Sequence, residues 1–416
     1  MRQWKTESGK WKVVVLICVS IAFHFPLSTF HSIAAQDSSR VTLCIDNLHF
    51  FVDNEYAATR VDGYTLPGFV LRPRVEWRIE ERVKIEAGVH WLHYWGAHGF
   101  PADQSLEGRN SYSGDATRIH VSPWLQARVE LTPWLSAVFG SLENNDGHQL
   151  PLPLYNPERQ YAADPEGGVQ LIVDHHAVQA DLWVDWRDFI WNYSPTQERF
   201  CAGLSARGRL HLSDRLELYL PLHAVLLHNG GEGVTDTTIP VRSRFNGAAG
   251  LGMSAAIGGF NLAAEGYLMG YFNNRGENST PVRDNEGYMV SPGLDFRTGW
   301  GFYPVLKAGY KGWRMEASYW QGEQFVPLLG CYHYSNISSN TPDMTHDMIR
   351  VLTVRGGYTY HGLKHCTLST EVSYYHYFPY TGDRTGYLKV IRSASEHVSV
   401  GFFLHLHPRI KLGVRN

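Results

Sequence analysis

The chain is poor in the features that usually betray a function. Only five of its 416 residues are cysteine, and no two of them form a CxxC pair. That excludes a dense disulfide scaffold and a cysteine-based zinc site. No GxSxG, HExxH or P-loop pattern is present, so the common signatures of α/β-hydrolases, zinc peptidases and nucleotide-binding proteins are missing. Charge of one sign is missing too: the formal net charge is −3, which gives nucleic acid no basic surface to bind. Long hydrophobic runs are scarce. After the stretch 13–25 nothing approaches 18 apolar residues, so the rest of the chain cannot cross a membrane as helices.

What is present begins with the N-terminus. Lys5, Lys10 and Lys12 precede the apolar run VVVLICVSIAFHF (13–25), and SIAAQ (32–36) supplies small residues for cleavage. This order predicts a secretory signal peptide over 1–35, cut after Ala34 or Ala35, and one barrel domain over 36–416. Ile17 is too bulky for a lipoprotein box before Cys18. Four cysteines follow, Cys44, Cys201, Cys331 and Cys366. Export allows them at most one pair of consequence, and their spacing names none.

Alternation is the dominant signal. In RPRVEWRIEERVKIEAGVHW (72–91), Arg72, Arg74, Glu76, Arg78 and Glu80 alternate with Pro73, Val75, Trp77 and Ile79; Lys84, Glu86 and His90 then alternate with Ile85, Ala87, Val89 and Trp91. A strand has a side-chain period of two, so each such ribbon has one apolar and one polar face. The pattern recurs. Ile119, Val121, Leu125, Ala127 and Val129 oppose Arg118, His120, Gln126, Arg128 and Glu130, and Val178, Ala180, Leu182, Val184 and Trp186 oppose Gln179, Asp181, Asp185 and Arg187. The same holds for 200–212, 216–226, 313–319 and 397–407.

Connections sort into two alternating classes. Tight links such as Gly258–Gly259 and Lys311–Gly312 suit primed hairpin turns. The second pairs Ala308 with Met315 and Lys307 with Glu316. The link at 81–83 pairs Trp77 with Ala87, Val75 with Val89, Arg78 with Glu86 and Glu80 with Lys84. Between the tight links run longer polar stretches near 54–67, 96–116, 143–167, 191–198, 228–244, 273–298, 322–347 and 379–389. Together these predict an all-β fold: a transmembrane antiparallel up-and-down β-barrel of about 16 strands (14–18), with short periplasmic turns and long extracellular loops. Val75, Trp77, Ile85 and Val89 then face lipid. Trp91, Tyr94, Trp95, Trp124, Trp134, Trp186, Trp191, Trp300, Trp313 and Trp320, mostly near strand ends, are candidates for an aromatic girdle. A soluble β-sandwich or propeller fits less well, since neither sorts its loops this way and no fixed 40–50-residue repeat occurs.

The chain resembles the porin-like outer-membrane β-barrel proteins of Gram-negative bacteria. The resemblance lies in the signal peptide, the strands and loops, the last strand HVSVGFFLHLH (397–407), and the stretches GYTLPGFVLRPRVEW (63–77) and LPLPLYNPERQ (150–160). It implies a location in the bacterial outer membrane and no particular substrate. Such proteins commonly end on an aromatic residue, whereas this chain continues through PRIKLGVRN to Asn416. The terminal signal is then supplied, if at all, by Phe403 and its neighbours.

Function at this level rests on the lumen. A barrel of this size admits an aqueous channel unless loops fold in. The expected pore-lining residues are Arg72, Arg74, Glu76, Arg78, Lys84, Glu86, Arg118, Arg128, Glu130, Asp181, Asp185, Arg187, Arg207, Arg209, Glu217, Arg314 and Glu316. This row suggests passive passage of small polar solutes, with a basic wall that favours anionic ones, or else a salt-bridged lining without selectivity. No cofactor or metal is expected, and the chain is expected not to be an enzyme. The alternatives are a barrel hydrolase or acyltransferase, for which MTHDM (344–348), DHH (174–176) and GVHWLHYW (88–95) supply His and Asp, or an accessory barrel in a larger complex. His90 and His93 fall on opposite faces of one strand, and DHH lies at a turn. Expected partners are outer-membrane lipids, small polar solutes and the assembly machinery, with homo-oligomers or a larger envelope complex open and nucleic acid excluded.

Overall fold

The computed structural model describes residues 40–56, 61, 63–95, 119–144, 146–188, 198–230, 241–274, 282–283, 289–291, 296–338, 344–384 and 388–412. The chain divides into two units, Met1–Ser39 and Arg40–Asn416. The signal peptide, Arg118 and Trp191 lie outside the described residues.

Sixteen antiparallel strands form a closed barrel, with one short strand added. In chain order they are β1 (Arg40–Glu55), β2 (Tyr64–Ile79), β3 (Val83–Tyr94), β4 (Ile119–Thr132), β5 (Leu135–Ser141), β6 (Gly167–His175), β7 (Val178–Asp188), β8 (Arg199–Ser213), β9 (Leu216–Asn229), β10 (Arg242–Ile257), β11 (Phe260–Asn273), β12 (Thr298–Tyr310), β13 (Trp313–Glu323), β14 (Ile349–Leu363), β15 (Cys366–Tyr377), β16 (Ser395–Leu406) and β17 (Arg409–Leu412). Each strand from β1 to β15 pairs with the next, and β16 closes on β1 through pairs such as Phe51↔Phe402. The tail beyond His407 is not surplus. Past Pro408 the chain stays in step with β1, from Cys44↔Arg409 to Val41↔Leu412, so β17 prolongs the closing strand.

Tight turns occupy one end and long connections the other, the sidedness of outer-membrane barrels. Lys311 (φ 45) with Gly312 (φ 87), and Gly258 (φ 59) with Gly259 (φ 87), take the left-handed backbone a primed turn requires. Lys307↔Glu316 and Ala308↔Met315 pair as expected. The first hairpin differs. Ile79 pairs with Val83, Trp77 with Ile85, and Glu76 with Glu86. Its turn is Glu80–Arg82, with Glu80 left-handed (φ 51), so the register sits two residues from the expected one. A shift of two keeps every side chain on its face.

The outer face is apolar: Val121 is 61% exposed, Leu251 70% and Leu268 68%. A closed wall with an apolar belt satisfies all its backbone groups internally, as the bilayer demands. The protein is an outer-membrane β-barrel. Trp95, Trp134, Trp300 and Trp313 stand exposed near strand ends, but Trp124, Trp320 and Tyr94 are buried. These three lie on the parity of the inward row, so the girdle is smaller than the sequence suggested. The four cysteines are all free, and the pair that export would have allowed is not formed.

Candidate functional site

The inward face carries the charged rows, and the structure gathers most of them into ion pairs. Arg74 bridges Asp46 and, through Nε at 2.8 Å, Glu86 Oε2. Lys84 reaches Glu86 at 3.1 Å and Glu143 at 3.6 Å, and Arg128 also holds Glu143. Arg78 pairs with Glu76 at 2.7 Å and Arg187 with Asp185 at 3.0 Å. Further round, Arg207 lies 3.6 Å from Glu265, Arg209 3.9 Å from Asp174, His211 3.2 Å from Glu217, and Arg314 2.9 Å from Glu371. Glu316 stands opposite Lys307 on one side and Arg355 on the other. Glu130 is exposed near the β4–β5 turn. The arginine excess read in the sequence is thus largely neutralised locally.

Two long connections turn inward, which no residue pattern had indicated. Residues 147–163 and 325–338 enter the lumen at its loop end. Asn246 of β10, fully buried, donates from Nδ2 to the Val326 carbonyl at 3.0 Å and accepts from the Leu328 N–H at 2.8 Å. The two segments also bond each other: the Asn156 N–H donates to the Leu329 carbonyl (2.7 Å) and the Cys331 N–H to the Leu152 carbonyl (3.0 Å). Leu154, Phe325, Val326, Leu328 and Leu329 pack with Cys201, Val225, Leu227, Met269 and Trp320 of the wall in one apolar cluster. At this end the lumen is a protein core rather than a wet channel. Towards the turns the wall side chains are wetter, the Arg78 side chain 50% and that of Arg314 55% exposed.

One ion pair pins the first inserted segment. His148 sits on left-handed backbone (φ 54) with its side chain fully buried, stacked on Trp183 at 3.7 Å and 4°. Nε2 donates to Glu166 Oε2 at 2.6 Å and Nδ1 to Asp181 Oδ2 at 2.7 Å. Burial alone lowers an imidazole's pKa, but the hydrogen bonds to Asp181 and Glu166 outweigh it and lift His148 to about 9. It is an imidazolium at neutral pH, suited to hold structure and unsuited to act as a base.

The chemistry-bearing cluster lies beside it, around Glu158, the residue before the short helix α1 (Arg159–Ala162). Its Oε1 accepts from Asn54 Nδ2 at 3.1 Å, and its Oε2 accepts a short hydrogen bond from the Tyr64 hydroxyl. Tyr56 in turn donates to Asn54 Oδ1 at 3.0 Å. Asn54 ends β1 and Tyr64 starts β2, so the cluster sits at the loop end of the barrel. Burial pushes the Glu158 carboxyl above the usual carboxylate range, against the hydrogen bonds from Tyr64, Asn54 and Asn156 that hold it down. A cavity of about 60 Å³ adjoins it, lined also by His333, Arg355, Ser373, Tyr375 and Ser399. His333 stacks on Tyr375 at 3.7 Å, and its Nδ1 lies 2.6 Å from the Tyr377 hydroxyl. A part-buried carboxyl with a raised pKa, facing a cavity shared with a histidine and several hydroxyls, is a candidate acid–base site.

None of these residues stood out in the sequence. Glu158 lies within LPLPLYNPERQ, a stretch that had suggested a location only. Of the sequence candidates, His90 is buried and points inward while His93 does not, DHH falls at the β6–β7 turn, and in MTHDM His346 is buried, its ring 5.0 Å from that of Tyr380. Among the described residues no group of three or more His, Cys, Asp or Glu is placed to hold a metal ion.

Solved outer-membrane proteins match the chain at low identity. OmpT of Vibrio cholerae is 12% identical with a TM-score of 0.46, over 89% of this chain and 100% of that one. OccK1 (OpdK) of Pseudomonas aeruginosa is 9% identical with a TM-score of 0.46, over 89% and 98%. OccAB3 of Acinetobacter baumannii is 14% identical with a TM-score of 0.44, over 90% and 100%. No curated protein matches the chain. The decisive match is to the model of the lipid A 3'-O-deacylase-type family, which spans residues 33–414. It overturns the expectation that the barrel is not an enzyme, because that family is described by a deacylase activity; with the match running through all sixteen strands, the chain belongs to the lipid A 3'-O-deacylase-type family.

Proposed function

We propose that this barrel is an outer-membrane ester hydrolase that removes an O-linked acyl chain from a lipid A-type glycolipid. The observation that carries the reading is Glu158: a part-buried carboxyl brought in by an inserted segment and held by Asn54 and Tyr64 at the loop end of the wall. Ester hydrolysis needs a base to take a proton from water as its oxygen attacks the carbonyl carbon, and donors for the oxyanion that forms. Glu158 is the base in this scheme, with its raised pKa bringing it nearer to neutral pH. The alkoxide leaves with the proton returned, giving a free acid and an alcohol. Tyrosine hydroxyls and the Arg355 guanidinium of the same cavity are the available donors. His333, fixed through Nδ1 to Tyr377, is a second candidate for proton transfer.

The filled lumen weighs against the passive solute channel that the alternation had suggested, since the inserted segments occupy the space solutes would use. Refolded protein incubated with acylated lipid A in mixed micelles tests the proposal. Mass spectrometry should show loss of one acyl chain, and Glu158→Gln should abolish it while the protein still migrates as a heat-modifiable barrel. Intact lipid A together with steady ohmic steps in planar bilayers would favour the channel instead.

A further inference from the structure

A second interior cavity, of about 120 Å³, lies beneath the first inserted segment and is separate from the Glu158 cluster. Its wall mixes charges, but they are not equivalent. The carboxylates there are taken: Asp46 by Arg74, Glu86 by Arg74 and Lys84, Glu143 by Arg128, Glu166 by His148, and Asp164 by His120. Arg72 is different. Its Nε donates to His90 Nδ1 at 2.8 Å, and its guanidinium lies 5.2 Å from the centre of the Trp124 ring. No carboxylate among the described residues lies within ion-pair distance of it. The two terminal nitrogens of its fork therefore have no anion.

The neighbours point the same way. His90 is 0% exposed, and because its Nδ1 accepts from Arg72, the ring proton sits on Nε2. That Nε2–H has no partner, and neither has the hydroxyl of Ser122, which stands directly across the ladder from His90. Unanswered buried donors beside a guanidinium are costly unless something accepts from them. Water could satisfy the neutral donors, but it leaves Arg72 with no anion in contact, only the more distant charge of Asp46, which Arg74 already bridges. A planar fork presenting parallel N–H groups matches the oxygens of a phosphate, and the cavity has room for one.

We propose that this cavity binds a phosphate-sized anion, either inorganic phosphate or a terminal phosphomonoester, with Arg72 as the principal contact and Trp124 holding the guanidinium in place. The proposal goes beyond ester hydrolysis and does not depend on it. The full chain, refolded in detergent, is titrated with inorganic phosphate by calorimetry against chloride of equal ionic strength, and in parallel with phosphatidic acid in mixed micelles. Saturable binding is expected in at least one arm; the soluble arm identifies a free anion and the micellar arm alone a lipid headgroup. Arg72→Gln should weaken it about 10- to 100-fold, the range for losing a charge-assisted hydrogen bond. Arg72→Lys, which keeps the charge without the fork, should fall between, and Arg314→Gln should change nothing. If Arg72→Gln fails to fold, the lysine variant decides. No saturable binding in either arm, or binding that the Arg72 variants leave unchanged, overturns the proposal.

Discussion

The sharpest test of the inserted segment is His148→Gln. In the native protein the imidazolium lies between Glu166 and Asp181, and its pKa of about 9 compares with 6.5 for a free histidine. The sign follows from the direction. A group whose pKa is raised on folding contributes fully below its unfolded value and loses that contribution as pH rises through the folded one. Linkage over that interval gives about 2.5 kcal/mol at pH 7 and almost nothing at pH 9.5. The pair anchors an inserted segment and not a strand, so the energy should appear in local opening before it appears in global unfolding. Arg159 lies in that segment and offers trypsin a cleavage point. If opening is fast relative to cleavage, cutting at Arg159 should be about 50- to 100-fold faster in His148→Gln than in wild type at pH 7. The difference should shrink towards unity at pH 9.5, because wild type then loses its own imidazolium. The reasoning is refuted if the ratio at pH 7 is near one, or if it stays large and constant up to pH 9.5, which would make His148 a packing element and not a charge.

Other outcomes follow from the same geometry. Val75→Arg places a charge in the apolar belt and should cost about 2–4 kcal/mol near the bilayer midplane, measured by urea unfolding in vesicles. Arg78→Gln, at a half-exposed lumen position, should cost under about 1 kcal/mol in that assay; the reverse order would mean that the faces are inverted. Arg74→Glu, which a purely wet lumen would tolerate, should instead cost about 3–5 kcal/mol, because it strips Asp46 of its arginine, leaves Glu86 with Lys84 alone, and sets a third carboxylate beside them. With Glu158 as base, hydrolysis should rise with pH through a midpoint above the usual carboxylate range, and a profile already flat at pH 5 would remove Glu158 from that role. The mature chain from cell envelopes should begin at Ala35 or Gln36 by mass spectrometry, and an intact Met1 would refute cleavage.

Much of the wall was legible because a strand's period of two is a local property. The parity that put Val75 and Trp77 outside and Glu76 and Glu86 inside needed only the sequence of one hairpin, and even the two-residue error in its register left those faces intact. The register itself was not legible. Nothing in Glu80–Glu81–Arg82 marks a turn as Gly258–Gly259 does, and Arg78 opposite Glu86 looked better than Glu76 opposite Glu86. The structure accepts two facing carboxylates because Arg78 holds Glu76 while Lys84 and Arg74 hold Glu86, contacts made on the diagonal and from the next residues along. The candidate site was almost illegible, since its members come from β1, β2, β14, β15, β16 and two loops more than one hundred residues apart. Their proximity depends on segments that do not read as barrel strands: the alternate residues of Leu150, Leu152 and Leu154 are prolines, and Phe325 to Leu329 cluster around Pro327 with no period.

The inserted segments also change what the charged rows mean. On a channel wall, arginine and glutamate would face moving water, and their sum would set selectivity. Here the same parity serves two environments along one barrel. Near the turns Arg78 and Arg314 keep half their surface in water, and pairing with Glu76 or Glu371 contributes little. Near the loops Asn246 and Asp181 meet protein and find partners in it: Asn246 takes the backbone of Val326 and Leu328, and Asp181 takes His148. Glu158 is brought into the barrel by this means, on a loop docked against the wall and not on a strand. A loop can place a carboxyl beside Asn54 and Tyr64 without disturbing a ladder, which a strand residue could not do without reversing its face. The lipid-facing belt is left unchanged, so a barrel of channel-like width can hold a part-buried carboxyl at its loop end.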